Sequence, residues 1–138
     1  MYKMKVGRRE SFNAAHRLYL PEWSDEKNQE VFGKCSNPNF HGHNYILETW
    51  VDGEIDPVTG FVIDMEVLKA IIKDEVLEKF DHRNLNLDCK EFENLIPTAE
   101  NILKVIYGLI RAKLDDKYKL SLKMWETEKN IFEYSDPK

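Results

Sequence analysis

Two apolar stripes of helical period stand side by side in the middle of this chain, and they dictate most of what it can become. Leu68, Ile71, Ile72, Val76 and Phe80 recur at spacings of three and four, as do Ile102, Leu103, Ile106, Tyr107, Leu109, Ile110 and Leu114. Two amphipathic helices need a shared apolar surface, and the flanking segments supply it. Before them, residues 5–16 and 44–52 read as strands. After them, Tyr118, Leu120, Leu122 and Met124 alternate with Lys119, Ser121 and Lys123, and Ile131–Tyr134 closes a hairpin across the turn Thr127–Asn130. Strand, strand, helix, helix, strand, strand is an α+β arrangement: a four-stranded antiparallel sheet with two helices on one face. At 138 residues, 42% of them hydrophobic, the chain reads as one domain spanning 1–138.

The boundaries have local causes. Asp64 is a good N-cap for the first helix, with Glu66 in its first turn, and the helix ends near Phe80. Thr98 caps the second, with Glu100 in its first turn. Asp52-Gly53 and Asp56–Gly60 are turn signals, and Phe61–Ile63 reads as a short strand. Arg8 and Glu10 interrupt the alternation of the first strand, which suggests a bulge or an interfacial strand. Residues 18–40 show no sustained period and read as a long loop, ordered by Trp23, Val31, Phe32 and Phe40; residues 84–97 form a second irregular stretch closed by Pro97. Trp50 and Trp125 do not suit a solvated outer face, so strand-edge oligomerisation is expected.

Composition narrows the partners. A net charge of −5 with no Lys/Arg block argues against nucleic acid, while a few local cations and a metal still suit an anionic small substrate. No apolar run is long enough to span a bilayer, and the first residues lack the apolar core of a signal peptide. Two cysteines, Cys35 and Cys89, are too few for a disulfide scaffold, so a cytoplasmic setting is expected.

The chemistry gathers around Phe40-His41-Gly42-His43-Asn44-Tyr45. On a strand, His41 and His43 leave the same face, and like-facing imidazoles can take two corners of a tetrahedral metal site. His16, also at a strand end, offers a third ligand. Taken alone, His-x-His also fits two hydrogen-bonded surface histidines. Cys35, behind Gly33-Lys34, can be a metal ligand, a nucleophile, a proton-transfer group or an inert small hydrophobe. Asp81-His82 at a helix end fits a proton relay or a helix cap. By strand parity Glu126 shares a face with Leu120, Leu122 and Met124; there it needs a partner, and it can accept two N–H donors from a guanidine-like edge or sit past the core. Glu100 can support the same pocket.

At these residues the chain resembles the 6-pyruvoyl-tetrahydropterin synthase family. The match includes Ser11–Leu18, Phe32–Cys35 leading to His41–Tyr45, Gly53–Gly60, Leu77 through Asp81-His82 to Leu85, Thr98–Asn101 and Trp125–Thr127. The resemblance implies zinc held by His16, His41 and His43. It implies Cys35, Asp81 and His82 in proton transfer, and Glu126 anchoring a pterin with Thr98 and Glu100 nearby. It further implies the tunnelling fold, in which subunits join sheets into a trimeric β-barrel and two trimers stack as a homohexamer, with Asp81 and His82 reaching the site from a neighbour. The implied reaction converts 7,8-dihydroneopterin triphosphate to 6-pyruvoyl-5,6,7,8-tetrahydropterin and triphosphate, with magnesium carried on the triphosphate. A related enzyme, 6-carboxy-tetrahydropterin synthase of queuosine biosynthesis, usually shows Cys-x3-His-x-His. Cys35 to His41 is Cys-x5-His-x-His, which favours the biopterin-pathway pattern. A structural zinc module is a weaker alternative, because three histidines leave the fourth position open.

Overall fold

The computed structural model describes residues 2–137. Its frame is one long antiparallel pair. Strand β1 (Lys3–His16) runs beside β2 (His41–Glu54) in unbroken register, from Lys3 opposite Glu54 to His16 opposite His41. There is no bulge. Arg8 and Glu10 face the helix side and satisfy each other at 2.7 Å, half-buried, in a groove with Lys69, Lys73 and Leu77. Strand β4 (Lys119–Trp125) continues the sheet from β2, and β5 (Ile131–Ser135) forms the closing hairpin.

The sheet has five strands, not four, and it is mixed. Strand β3 (Arg83–Asn84) lies parallel to Ala14–Ala15 on the outer edge of β1, giving the order β3-β1-β2-β4-β5. Two residues carry no period that sequence could reveal. They are placed by His82, whose backbone turns through φ 61° and whose N–H donates to the Asn13 carbonyl at 2.6 Å.

Helices α2 (Met65–Ile72) and α5 (Ala99–Arg111) pack on one sheet face, with the expected caps: Asp64 accepts from Glu66 N–H and Thr98 from Asn101 N–H. After α2 the helix widens into a π-helical turn over Lys73–Leu77 before the short α3 (Glu78–Phe80). Leu68, Ile72, Val76 and Phe80 meet Ile102, Ile106 and Ile110 over Leu47, Leu120 and Leu122, all almost completely buried. Each such side chain contributes about 1.5–3 kcal/mol by leaving water.

Three other expectations change. The long loop contains helix α1 (Asp25–Phe32), capped by Ser24, followed by a 3₁₀ turn over Gly33–Ser36. The side chain it buries is polar: Asn28 accepts from Leu20 N–H and donates to the Leu20 carbonyl, while Val31 is exposed. An apolar stripe is therefore missing, and periodicity could not reveal the helix. Phe61–Ile63 is a bend rather than a strand; Val62 and Ile63 are buried, but the Phe61 carbonyl is spent on Asp56 N–H. The irregular 84–97 segment contains helix α4 (Leu85–Asp88) and a 3₁₀ turn at Lys90–Phe92.

On the opposite sheet face, Arg9 pairs with Glu48 at 2.6 Å and its guanidinium lies 5.5 Å from the Trp125 ring centre. Trp50 donates to Glu48 and lies so close over Gly7 that a Cβ there would come within 2.6 Å of the indole. No helix among the described residues is long and apolar enough to cross a membrane.

Candidate metal centre

The β1–β2 register brings together side chains that are 25 residues apart in sequence: His16 stands opposite His41, and His43 follows on the same face of β2. Ring centres lie 4.5 Å apart for His16–His41 and 5.1 Å for both His16–His43 and His41–His43. One ring nitrogen from each falls within 4.8 Å of the other two, and among the described residues this is the group of histidine, cysteine and carboxylate side chains so arranged.

His16 is the anchor. It is 1% exposed, and its Nδ1–H donates to the Pro97 carbonyl at 2.8 Å. That bond fixes the tautomer and leaves the Nε2 lone pair pointing into the group. Among the described residues Nε2 is buried without a hydrogen-bond partner, and Glu126 Oε2 lies 3.9 Å from it. Burial pushes the His16 pKa down to about 4; the Pro97 bond opposes this, and His41 and His43 add to it. His16 is thus neutral near pH 7, and the Glu126 contact is not an ion pair. It sets a carboxylate oxygen and an imidazole lone pair face to face, an arrangement that a cation between them would satisfy. His41 is also lowered, first by burial and then by His43, against an opposing pull from Glu126. Neutral imidazoles are the form that binds metal. Three nitrogens with an orphaned lone pair suit a divalent metal of the zinc type, with a fourth position left for substrate.

The other expected residues fall into three places. Cys35 sits on the 3₁₀ turn after α1, half-buried; its carbonyl accepts from Leu18 N–H at 2.8 Å, and Arg17 Nε holds the next carbonyl, Ser36, at 2.8 Å. These bonds tie the turn to the end of β1, yet the thiol lies outside the three-histidine group. Asp81 and His82 form a dyad on the edge of β1. Asp81 accepts from Asn13 N–H at 2.8 Å and meets His82 Nδ1 at 3.0 Å, while the His82 side chain is 80% exposed. His82 is a non-glycine residue at positive φ, a conformation that persists only where neighbours hold it. Among the described residues no hydrogen bond or ion pair joins this dyad to the histidine group. Thr98 spends its hydroxyl on the α5 cap, and Glu100 is exposed in the first turn. Glu126, one residue beyond β4, reaches the centre as parity suggested.

Pro97 had no signal in the sequence, because it acts through its backbone carbonyl. Its position is set by α5: Asn101 Nδ2 and Thr98 N–H both donate to the neighbouring Ile96 carbonyl.

Comparison with known proteins points the same way. The family described as 6-pyruvoyl tetrahydropterin synthase matches residues 5–137. The human protein named 6-pyruvoyl tetrahydrobiopterin synthase is 42% identical over 130 residues, covering 94% of this chain and 90% of that one. A Pyrococcus furiosus protein named dihydroneopterin monophosphate aldolase is 38% identical over 125 residues, 90% of each chain. The solved structure of Caenorhabditis elegans 6-pyruvoyl tetrahydropterin synthase superposes with a TM-score of 0.92 at 37% identity, covering 99% of this chain and 98% of that one.

Proposed function

The chain belongs to the 6-pyruvoyl tetrahydropterin synthase family and is an enzyme of it, and we propose that it converts 7,8-dihydroneopterin triphosphate to 6-pyruvoyl-5,6,7,8-tetrahydropterin with release of triphosphate. The observation that carries this reading is the buried, unpartnered Nε2 of His16 facing a carboxylate inside a group of three histidines. Zinc held by His16, His41 and His43 would polarise the substrate's side-chain oxygens and acidify the adjacent C–H bonds.

The chain's own residues take the remaining roles. Glu126 accepts two N–H donors from the guanidine-like edge of the pterin, with Thr98 and Glu100 beside it at the start of α5. Cys35 removes a proton from side-chain carbon, and Asp81 with His82 moves the others. Oxidation of the side chain is balanced by reduction of the ring, so no external redox partner is needed, and triphosphate leaves with its electron pair. Magnesium accompanies the triphosphate.

The separation of the Asp81–His82 dyad from the histidine group within one chain supports an active site shared between subunits. So do the outer edges at β3 and β5 and the Trp50/Trp125 face. The assembly proposed is a homohexamer of two barrel trimers. Two free cysteines suit a cytoplasmic enzyme.

The Pyrococcus relative defines the second reading, an aldolase on dihydroneopterin monophosphate. Incubating the purified, zinc-loaded protein with each phosphate ester and identifying products by mass spectrometry separates them. A 6-pyruvoyl product with inorganic triphosphate supports the synthase. Carbon–carbon cleavage, whether to a 6-hydroxymethyl or a 6-carboxy pterin, overturns it.

A further inference from the structure

Tyr45 lies on the same face of β2 as His41 and His43, two residues further on, and it is completely buried. Its ring stacks on Phe12 with centres 4.9 Å apart and planes inclined by 12°. The same ring meets His16 edge-on at 6.2 Å and 88°, and His43 at 5.6 Å and 73°. Phenylalanine would supply all of that packing. The hydroxyl is the part that needs a reason, because a buried O–H without a partner is costly. Among the described residues its one hydrogen-bonding contact is His16 Nδ1, at 3.4 Å.

That nitrogen already donates to the Pro97 carbonyl at 2.8 Å. The His16 ring is therefore gripped on its outer edge by two oxygens from different parts of the fold, a carbonyl leading into α5 and a hydroxyl on β2. Its inner nitrogen, Nε2, is the unpartnered one. A ring held at one edge can still rock about that bond; a second contact at the same nitrogen limits the rocking.

We infer that Tyr45 is a positioning residue for the metal centre: with the Pro97 carbonyl, its hydroxyl fixes the orientation of the His16 imidazole. This rests on the proposal that the three histidines hold a metal. The tautomer belongs to Pro97, which offers the shorter and stronger acceptor; Tyr45 contributes direction. Outer-shell partners of this kind commonly change metal affinity about 10- to 100-fold. With Pro97 retained, the lower end, about tenfold, is the expectation for losing the hydroxyl.

The test is Tyr45→Phe in the full-length oligomer, read by metal binding rather than turnover. Zinc affinity is measured by competition with a chromophoric chelator, and the site is refilled with Co²⁺ to record its visible absorption bands, which report ligand geometry. Tyr45→Phe should keep one metal per subunit, bind it about tenfold more weakly and shift the cobalt bands. Para-aminophenylalanine at position 45, which restores a polar group, should recover most of the affinity. Tyr107→Phe, which removes a hydroxyl bonded to Asp136 instead, should change neither readout. Equal zinc affinity and superimposable cobalt spectra for Tyr45→Phe and the unaltered protein would overturn the inference while leaving the metal centre standing. Failure of the unaltered protein to bind zinc or Co²⁺ would remove the metal reading itself. Should Tyr45→Phe not fold, 3-fluorotyrosine at position 45 alters the hydroxyl's hydrogen-bond strength at nearly constant shape. An unshifted cobalt spectrum in that protein would also overturn the inference.

Discussion

Acidifying the metal-free protein should unfold it through His16 in a calculable way. Burial holds this imidazole neutral in the folded chain, at a pKa of about 4 against 6.5 when unfolded. The folded value is the lower one, so between these limits the unfolded chain takes up the proton first. The stability contributed by the neutral ring is complete above about pH 6.5, declines as the pH falls, and is fully lost below about pH 4. A displacement of about 2.5 pH units at about 1.4 kcal/mol each gives about 3 kcal/mol. That is a large part of the roughly 5–15 kcal/mol that holds most domains folded. His41 is lowered in the same direction and adds to the slope. Substituting His16→Gln isolates the His16 share, because glutamine does not titrate. The assay is urea unfolding of chelator-treated protein at one fixed protein concentration, from pH 7.5 to 4, since subunit association and bound metal each carry their own dependence. The stability gap between the two proteins should close by about 2–3 kcal/mol across that range in favour of the variant. Parallel curves, with a constant gap from pH 7.5 to 4, would refute the reasoning.

The other expectations concern the loaded enzyme. His41→Ala should lose bound metal and activity together, because it removes one of the three nitrogens proposed to hold the metal; a full equivalent of zinc by elemental analysis would contradict it. Glu126→Gln keeps the shape and removes the charge, so it should raise KM for the pterin substrate with zinc content unchanged; unaltered kinetic constants would place Glu126 outside the pocket. Cys35→Ala should retain metal and oligomer, since the thiol is outside the histidine group, and lower turnover by about 10²–10⁴-fold as for a lost general base. Combined with His82→Ala it should cost less than the product of the single effects. Solvent-deuterium exchange into the substrate side chain at the unaltered rate would show that another group is the base.

Where residues act through local chemistry, sequence alone was sufficient. The caps at Asp64 and Thr98, the two helical stripes, the closing hairpin and the shared face of His41 and His43 depend on neighbours within a few positions, and the structure has them as expected. The placement of Glu126 at the end of β4 follows from the two-residue period of a strand and was equally legible. Helix α1 was not, because its buried side chain is the polar Asn28, which periodicity counts as a solvent-facing residue. Strand β3 was not, because two residues held by His82 and Asn13 have no period at all. The candidate metal centre divides along the same line. That His16 could join the pair was a guess about residue type; that it does so is decided by the uninterrupted β1–β2 register, which sets it opposite His41. Its tautomer is decided by a backbone carbonyl 81 residues away, at Pro97, and its orientation by a hydroxyl on Tyr45. Carbonyl oxygens are the same at every position of a sequence. Only the packing of α5 against the sheet gives this one a histidine to hold.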